Sequence, residues 1–313
     1  MKVKRTQNRV TGSRLTLPTV TAYAVAVWLM AGLLQQQLWV QLACFLLSTF
    51  LMVELNNSNA LIRIYSRTVS SSFAILTCAA NFLFYSLSEA FITLCLIAAY
   101  VLLFRTYQDK QAVGLTFYAF VCIGLASLFF VKILWIVPLL WFCIYIYLSA
   151  LSWRTLAASL IGIVTPYWLL MPFIIYHHHF GDLMAHFNEL FDLKLIAWHS
   201  YLTANQLLTA GFILVLALTG IIHFWRNSSA DRIRIRQLYG LFTLMTIIST
   251  ATLLLLPQYY DIMLRLLIIN TAPLIAHFVT LTSTRITNYA FYVICVTALV
   301  LTAMNLWMPS LSF

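Results

Sequence analysis

Charge is the scarcest commodity in this sequence. Only 8% of its 313 residues are Asp, Glu, Lys or Arg, whereas soluble domains carry about a quarter. So few charges cannot cover a water-soluble surface, which excludes a soluble enzyme or binding module. Acids are the scarcer sign, eight Asp and Glu against 18 Lys and Arg. The sequence also lacks GxxxxGK[ST], GxGxxG and HExxH, so no motif supports ATP-driven transport, dinucleotide binding or zinc-protease chemistry. The acids Glu54 and Glu89 stand at the ends of apolar runs, not midway, so the buried acid chains of proton-coupled pumps are missing. None of the six cysteines has CxxC or metal-ligand spacing. All six lie within apolar runs and read as small buried apolar residues without disulfides.

What is present is apolar text: 63% of the residues are hydrophobic. A helix needs about 20 apolar residues to cross the hydrocarbon core. Eleven runs qualify as candidates: 17–34, 37–54, 70–87, 90–105, 112–130, 133–150, 155–176, 204–225, 237–256, 262–281 and 287–307. The first is not a cleaved signal peptide, because it lacks a small-residue cleavage site. Residues 70–105 and 112–150 are tight for two spans each. One long tilted helix or a re-entrant hairpin is the alternative, but one span would leave too much apolar chain and put a charge at mid-bilayer.

The formal net charge of +10 does not point to nucleic acid, because the basic residues sit in short clusters between the runs. With the N-terminus in the cytoplasm, all 18 except Lys132, Lys194 and Arg265 fall on the inner side. The acids Glu89, Asp182, Glu189, Asp192 and Asp261 fall outside. That bias is the positive-inside pattern. The expected fold class is therefore all-α, a single polytopic transmembrane bundle over 1–313 with eleven spans, a basic cytoplasmic tail at 1–16 and the C-terminus outside. A bacterial inner membrane is the expected location, with membrane lipids as its surroundings.

Outer-side charges stand out. Lys132 and Arg265 sit at outer helix ends, and Asp261 lies four residues before Arg265, on the same helix face. Each cation taken singly is either an anchor whose stem snorkels to the headgroups or part of an outward polar cavity. Two together suit a phosphate or pyrophosphate headgroup. The loop 177–203 opens with His177, His178 and His179 and continues as an amphipathic helix. Leu183, Phe187, Leu190 and Phe191 form its apolar face, with Trp198 beyond, and Asp182, His186 and Glu189 lie opposite. That polar row is a solvated face, or a place for a divalent metal or acid–base work. Pro138, Pro166, Pro172 and Pro273 lie within runs and can kink helices. His223 and His277 fall towards inner helix ends and read as packed residues. The stretch Arg232–Arg236 reads as an anchor to anionic lipid.

Gly124, Leu125, Ala126 and Lys132, an aliphatic run with Pro138, and then Arg154 form a pattern that resembles membrane-embedded glycosyltransferases of the GT-C type. Arg265 with Leu266, Leu267 and Pro273 is similar to that superfamily's basic helix near the outer face. The resemblance implies a polyprenyl-phosphate-linked glycan at the outer face, met by Lys132 and Arg265. His186 is a further candidate for binding it, and no cofactor is expected unless the row 182, 186 and 189 takes a divalent metal. Those enzymes carry a catalytic acid in the first outer loop. Here that loop is Gln35, Gln36 and Gln37, so Glu89, Asp182 or Glu189 would have to take the part. The whole-chain layout, with Asn56–Arg67 as a cytoplasmic turn, also resembles a family of bacterial polytopic inner-membrane proteins; that implies location and architecture but no activity. Two other functions fit the same features. One is a transporter or flippase for a lipid or small anion, with the prolines as gates. The other is an assembly subunit in which Arg232–Arg236 docks a cytoplasmic partner protein.

Overall fold

The computed structural model of the chain describes residues 5–177, 180–191 and 202–307. Among them the regular structure is entirely helical. Each of the eleven apolar runs folds as helix, so its backbone donors and acceptors are paired within the run, as hydrocarbon requires. Among the described residues, eight helices are long and apolar enough to cross a membrane. The other three runs form shorter apolar helices: α2 (Thr16–Met30), α4 (Thr68–Ala79) and α6 (Val113–Phe129). Integral-membrane placement follows from these helices.

Both tight stretches are broken in two. The first passes from α4 through a 3₁₀ turn at Asn81–Tyr85 into α5 (Leu87–Arg105). In the second, Phe130 is extended after α6, with φ −149° and ψ 95°. A 3₁₀ turn at Val131–Trp135 follows, then α7 (Ile136–Cys143) and a π turn at Ile144–Leu148. A single long helix is excluded in both. Pro138 is the third residue of α7, where its missing N–H has no intrahelical acceptor in any case.

The chain forms two compact units: Met1–Leu87 with Ile196–Phe313, and Ser88–Leu195. The first holds α1 (Thr6–Thr11), α2, α3 (Trp39–Asn59), α4, α10 (Ala204–Asn227), α11 (Ile233–Leu255), α12 (Tyr260–Leu281) and α13 (Arg285–Trp307). Its axis is α12, with 94% of the most apolar stretch buried; a helix apolar all round belongs in a core. α10 comes close to it at Gly220, where a Cβ would lie 2.8 Å from the Leu274 Cβ. Small residues permit such approaches when lipid supplies no hydrophobic drive. Trp28 of α2 stacks on Phe84 at 3.9 Å between ring centroids. From Arg5 onward the N-terminal segment is no free tail. Gln7 is fully buried, and its amide donates to the Val279 carbonyl and to the Thr282 hydroxyl at 2.8 Å.

Polar contacts sort the turns of this unit into two ends. At one end Ser66 donates to the Thr11 carbonyl at 2.8 Å, and Arg63 to the Ala230 carbonyl at 3.4 Å. Arg234 donates there to the Asn59 side chain at 2.8 Å. At the other end Tyr85 donates to the Ala31 carbonyl at 3.3 Å, and Asn305 to the Ala79 carbonyl at 2.7 Å. Nearly all the unit's charge lies at the first, basic end. Among its described residues, only Asp261 and Arg265 are charged at the second.

The second unit holds α5, α6, α7, α8 (Trp153–Tyr176) and α9 (Phe180–Asn188). α6 and α8 cross where Gly124 meets Ile163 and Gly162 meets Phe117. Ser127 and Tyr167 join them by a hydroxyl pair at 2.8 Å, and Trp141 of α7 donates to Ser159 of α8 at 2.9 Å. Ser152 caps α8 through a reciprocal capping box with Thr155.

Candidate functional site

Arg265 lies in the second turn of α12, at the sparsely charged end of the first unit. It is 8% exposed and donates to the Leu83 carbonyl in the turn after α4. Asp261 stands one helical turn earlier, with one carboxylate oxygen buried. The i, i+4 spacing read from the sequence does put the two charges on one helix face. Tyr260 beside them donates to the Gln206 carbonyl at 2.5 Å, and its ring lies 6.2 Å from that of Phe82. The centre is therefore built from the starts of α10 and α12 and the turn 81–85.

Lys132 lies in the 3₁₀ turn of the second unit. It is 5% exposed, and its Nζ stands 5.8 Å from the centre of the Trp135 ring, within cation–π range. Snorkelling anchors must reach past the protein surface. The burial of Lys132 and Arg265 takes both out of that role.

The three candidate acids are not gathered. Glu89 is half-buried in the first turn of α5, where its charge faces the positive end of the helix dipole. Asp182 and Glu189 are exposed at the two ends of α9. His186 does not share their face. It is half-buried with Leu183, Phe187 and Leu190, its Nε2 lies 2.9 Å from the Ser127 carbonyl, and the Tyr167 ring lies beside it at 6.3 Å. The polar row expected at 182, 186 and 189 is thus split, because α6 and α8 take His186 into the packed side. His178, His179, Asp192, Lys194, Trp198 and His199 lie outside the described residues. Among the described residues, no three His, Cys, Asp or Glu side chains converge as a metal site.

At the basic end the structure assembles a cluster the sequence does not announce. His277 of α12 meets Asp231 of the turn before α11, Nε2 to Oδ2, at 3.0 Å, with side chains 1% and 3% exposed. The Tyr239 ring lies 4.7 Å and the His223 ring 5.3 Å from that of His277. Asp231 and His277 are 46 residues apart, and no spacing rule links them. The one available signal is that Asp231 is the lone acid among the four arginines Arg226, Arg232, Arg234 and Arg236.

No family model, curated protein or solved structure matches this chain.

Proposed function

We propose that the chain is an eleven-span protein of the bacterial inner membrane, N-terminus in the cytoplasm and C-terminus outside. At its outer end Arg265 holds the phosphate of a polyprenyl-linked glycan. Two features support the topology: each of the eleven runs is helical, and the turns of the first unit divide into a basic end and a nearly uncharged one. The binding reading is carried by a single observation. A guanidinium is kept buried on the most enclosed helix, at the end where Asp261 is its one charged companion among the unit's described residues. Its planar donor fork matches two phosphate oxygens, and a charge kept inside a membrane bundle is costly unless it serves a purpose.

Native mass spectrometry of the gently solubilised protein tests this. Wild type is expected to retain an adduct with the mass of a polyprenyl phosphate or its glycan, and Arg265→Ala to lose it. Bulk phospholipid alone on both proteins overturns the reading.

A further inference from the structure

A cavity of about 210 Å³ lies in the first unit, between α2 and α13. That is larger than the hydrophobic cavity of about 150 Å³ that takes up a benzene molecule. Thr19 and Val20 of α2 and Ile294 and Cys295 of α13 line its open side, each exposed or half-buried. Its interior is buried: Ser71 and Leu76 of α4, Leu216 of α10, Ile275 of α12 and Ala298 of α13. The gap is built into the bundle. On the basic side, the Gln7 backbone N–H donates to the Asn288 side chain at 3.1 Å, tying α1 to α13. On the other side, the Tyr23 and Thr302 hydroxyls pair at 2.6 Å, tying α2 to α13. Between the two ties the helices part.

Chemistry changes with depth along this cavity. Arg9 and Arg14, both exposed, flank the lining residues Val10 and Thr11 at the basic end. Arg67 immediately precedes α4 and Arg285 begins α13. Ser71 is four residues into the helix from Arg67, about 6 Å deeper. Its Oγ is buried and finds no hydrogen-bond partner among the described residues. Beyond it the walls are apolar, with Phe212 and Leu216 of α10 and Ala298 of α13 among them.

We propose that the cavity holds one acyl chain of an anionic glycerophospholipid from the leaflet at the basic end. The phosphate meets Arg9 and Arg14, Ser71 donates to the ester carbonyl, and the chain lies against Leu76, Leu216 and Ala298. This order of cation, hydroxyl and hydrocarbon is the order of phosphate, ester and acyl chain in such a lipid. A polyprenyl phosphate has no carboxylic ester carbonyl to accept from Ser71. The site is therefore separate from the outer-end centre of Arg265, and either can fail without the other.

The test uses the full chain in phosphatidylcholine nanodiscs with a phosphatidylglycerol that carries a diazirine in the middle of one acyl chain. After irradiation, label is expected to concentrate on the peptides holding Ile75 and Leu76, Leu216 and Cys295. Unlabelled phosphatidylglycerol should displace it at lower concentration than phosphatidylcholine does. Arg9→Gln with Arg14→Gln should lower that preference roughly 10- to 30-fold, at about 1 kcal/mol per basic residue near the surface. Two filling variants from opposite walls, Ser71→Leu and Cys295→Phe, should each reduce cavity labelling at least about fivefold, which is about 1 kcal/mol. If one of them fails to elute as a folded monodisperse species, the other decides. Label spread evenly over the lipid-facing helices overturns the site, as does full labelling of a folded filling variant. Equal displacement by both lipids overturns the choice of an anionic headgroup.

Discussion

Leucine at Gly162 breaks the second unit. A Cβ at this position would stand 2.6 Å from the Phe117 carbonyl oxygen and 3.0 Å from the Phe120 Cβ. At Gly124 it would stand 2.6 Å from the Ile163 carbonyl oxygen and 3.1 Å from Pro166. Both obstacles include backbone, which cannot swing aside as a side chain does. The two glycines are reciprocal, each receiving the other helix, so α6 and α8 must separate to admit either side chain. Separation would stretch the Ser127–Tyr167 hydroxyl pair and the crossing that seats α9. Overpacking typically costs about 1–3 kcal/mol. Here the shift is forced along a whole helix interface, so Gly162→Leu and Gly124→Leu are each expected at or above the upper end. Alanine at either position should already cost measurably. Gly114 in the first turn of α6 is the control, since nothing lies within 4 Å of its added Cβ. Gly114→Ala should be neutral or stabilising, by up to about 1 kcal/mol from helix propensity. Unfolding midpoints in detergent give the comparison. Equal midpoints for Gly114→Ala and Gly162→Leu would show that α6 and α8 do not pack this closely.

The second large effect is expected at the basic end. His277→Leu leaves the Asp231 carboxylate, 3% exposed, without the partner that meets it at 3.0 Å. Leaving a buried acceptor without its hydrogen-bond donor typically costs about 1–3 kcal/mol, and more when the acceptor is charged. Asp231→Asn should cost much less, since an amide keeps an acceptor near the His277 Nε2. Replacing both residues with leucine should recover much of the loss, giving a coupling of about 1–3 kcal/mol in a double-mutant cycle. The same unfolding measurement applies. Strictly additive single and double variants would mean the contact contributes nothing to holding α12 against the turn before α11.

The helices were largely legible because hydrophobic runs of this length have few alternatives in a membrane. Each of the eleven runs is a helix, and the ends drift by a few residues. Two local features escaped. The run 70–87 ends its α-helix at Ala79 and continues as a 3₁₀ turn, and the run 133–150 closes in a π turn. An all-apolar stretch carries no pattern that distinguishes one helical pitch from another. Arg265 and Lys132 could be singled out by rarity alone, since charge is expensive at depth. Their burial could not, because a snorkelling stem and an enclosed one have the same sequence. His186 shows the limit of face counting: 182, 186 and 189 share a helical face by periodicity, yet the half-buried side at 183, 186, 187 and 190 is the one that packs. The Asp231–His277 pair and the lone hydroxyl of Ser71 depend on helices distant in sequence, and neither leaves a local pattern.

The orientation of the chain decides which end of the bundle is outer and which is inner. Single cysteines read by a membrane-impermeant maleimide on intact cells test it most directly. The six native cysteines are buried or half-buried within apolar helices, so they provide a quiet background. Gln36→Cys, in the turn between α2 and α3, should label from outside. Ser13→Cys and Ser229→Cys, at the basic end, should label only after the cells are permeabilised. The reverse pattern would place the arginines outside and Arg265 on the cytoplasmic side, and the proposed glycan site would fall with it.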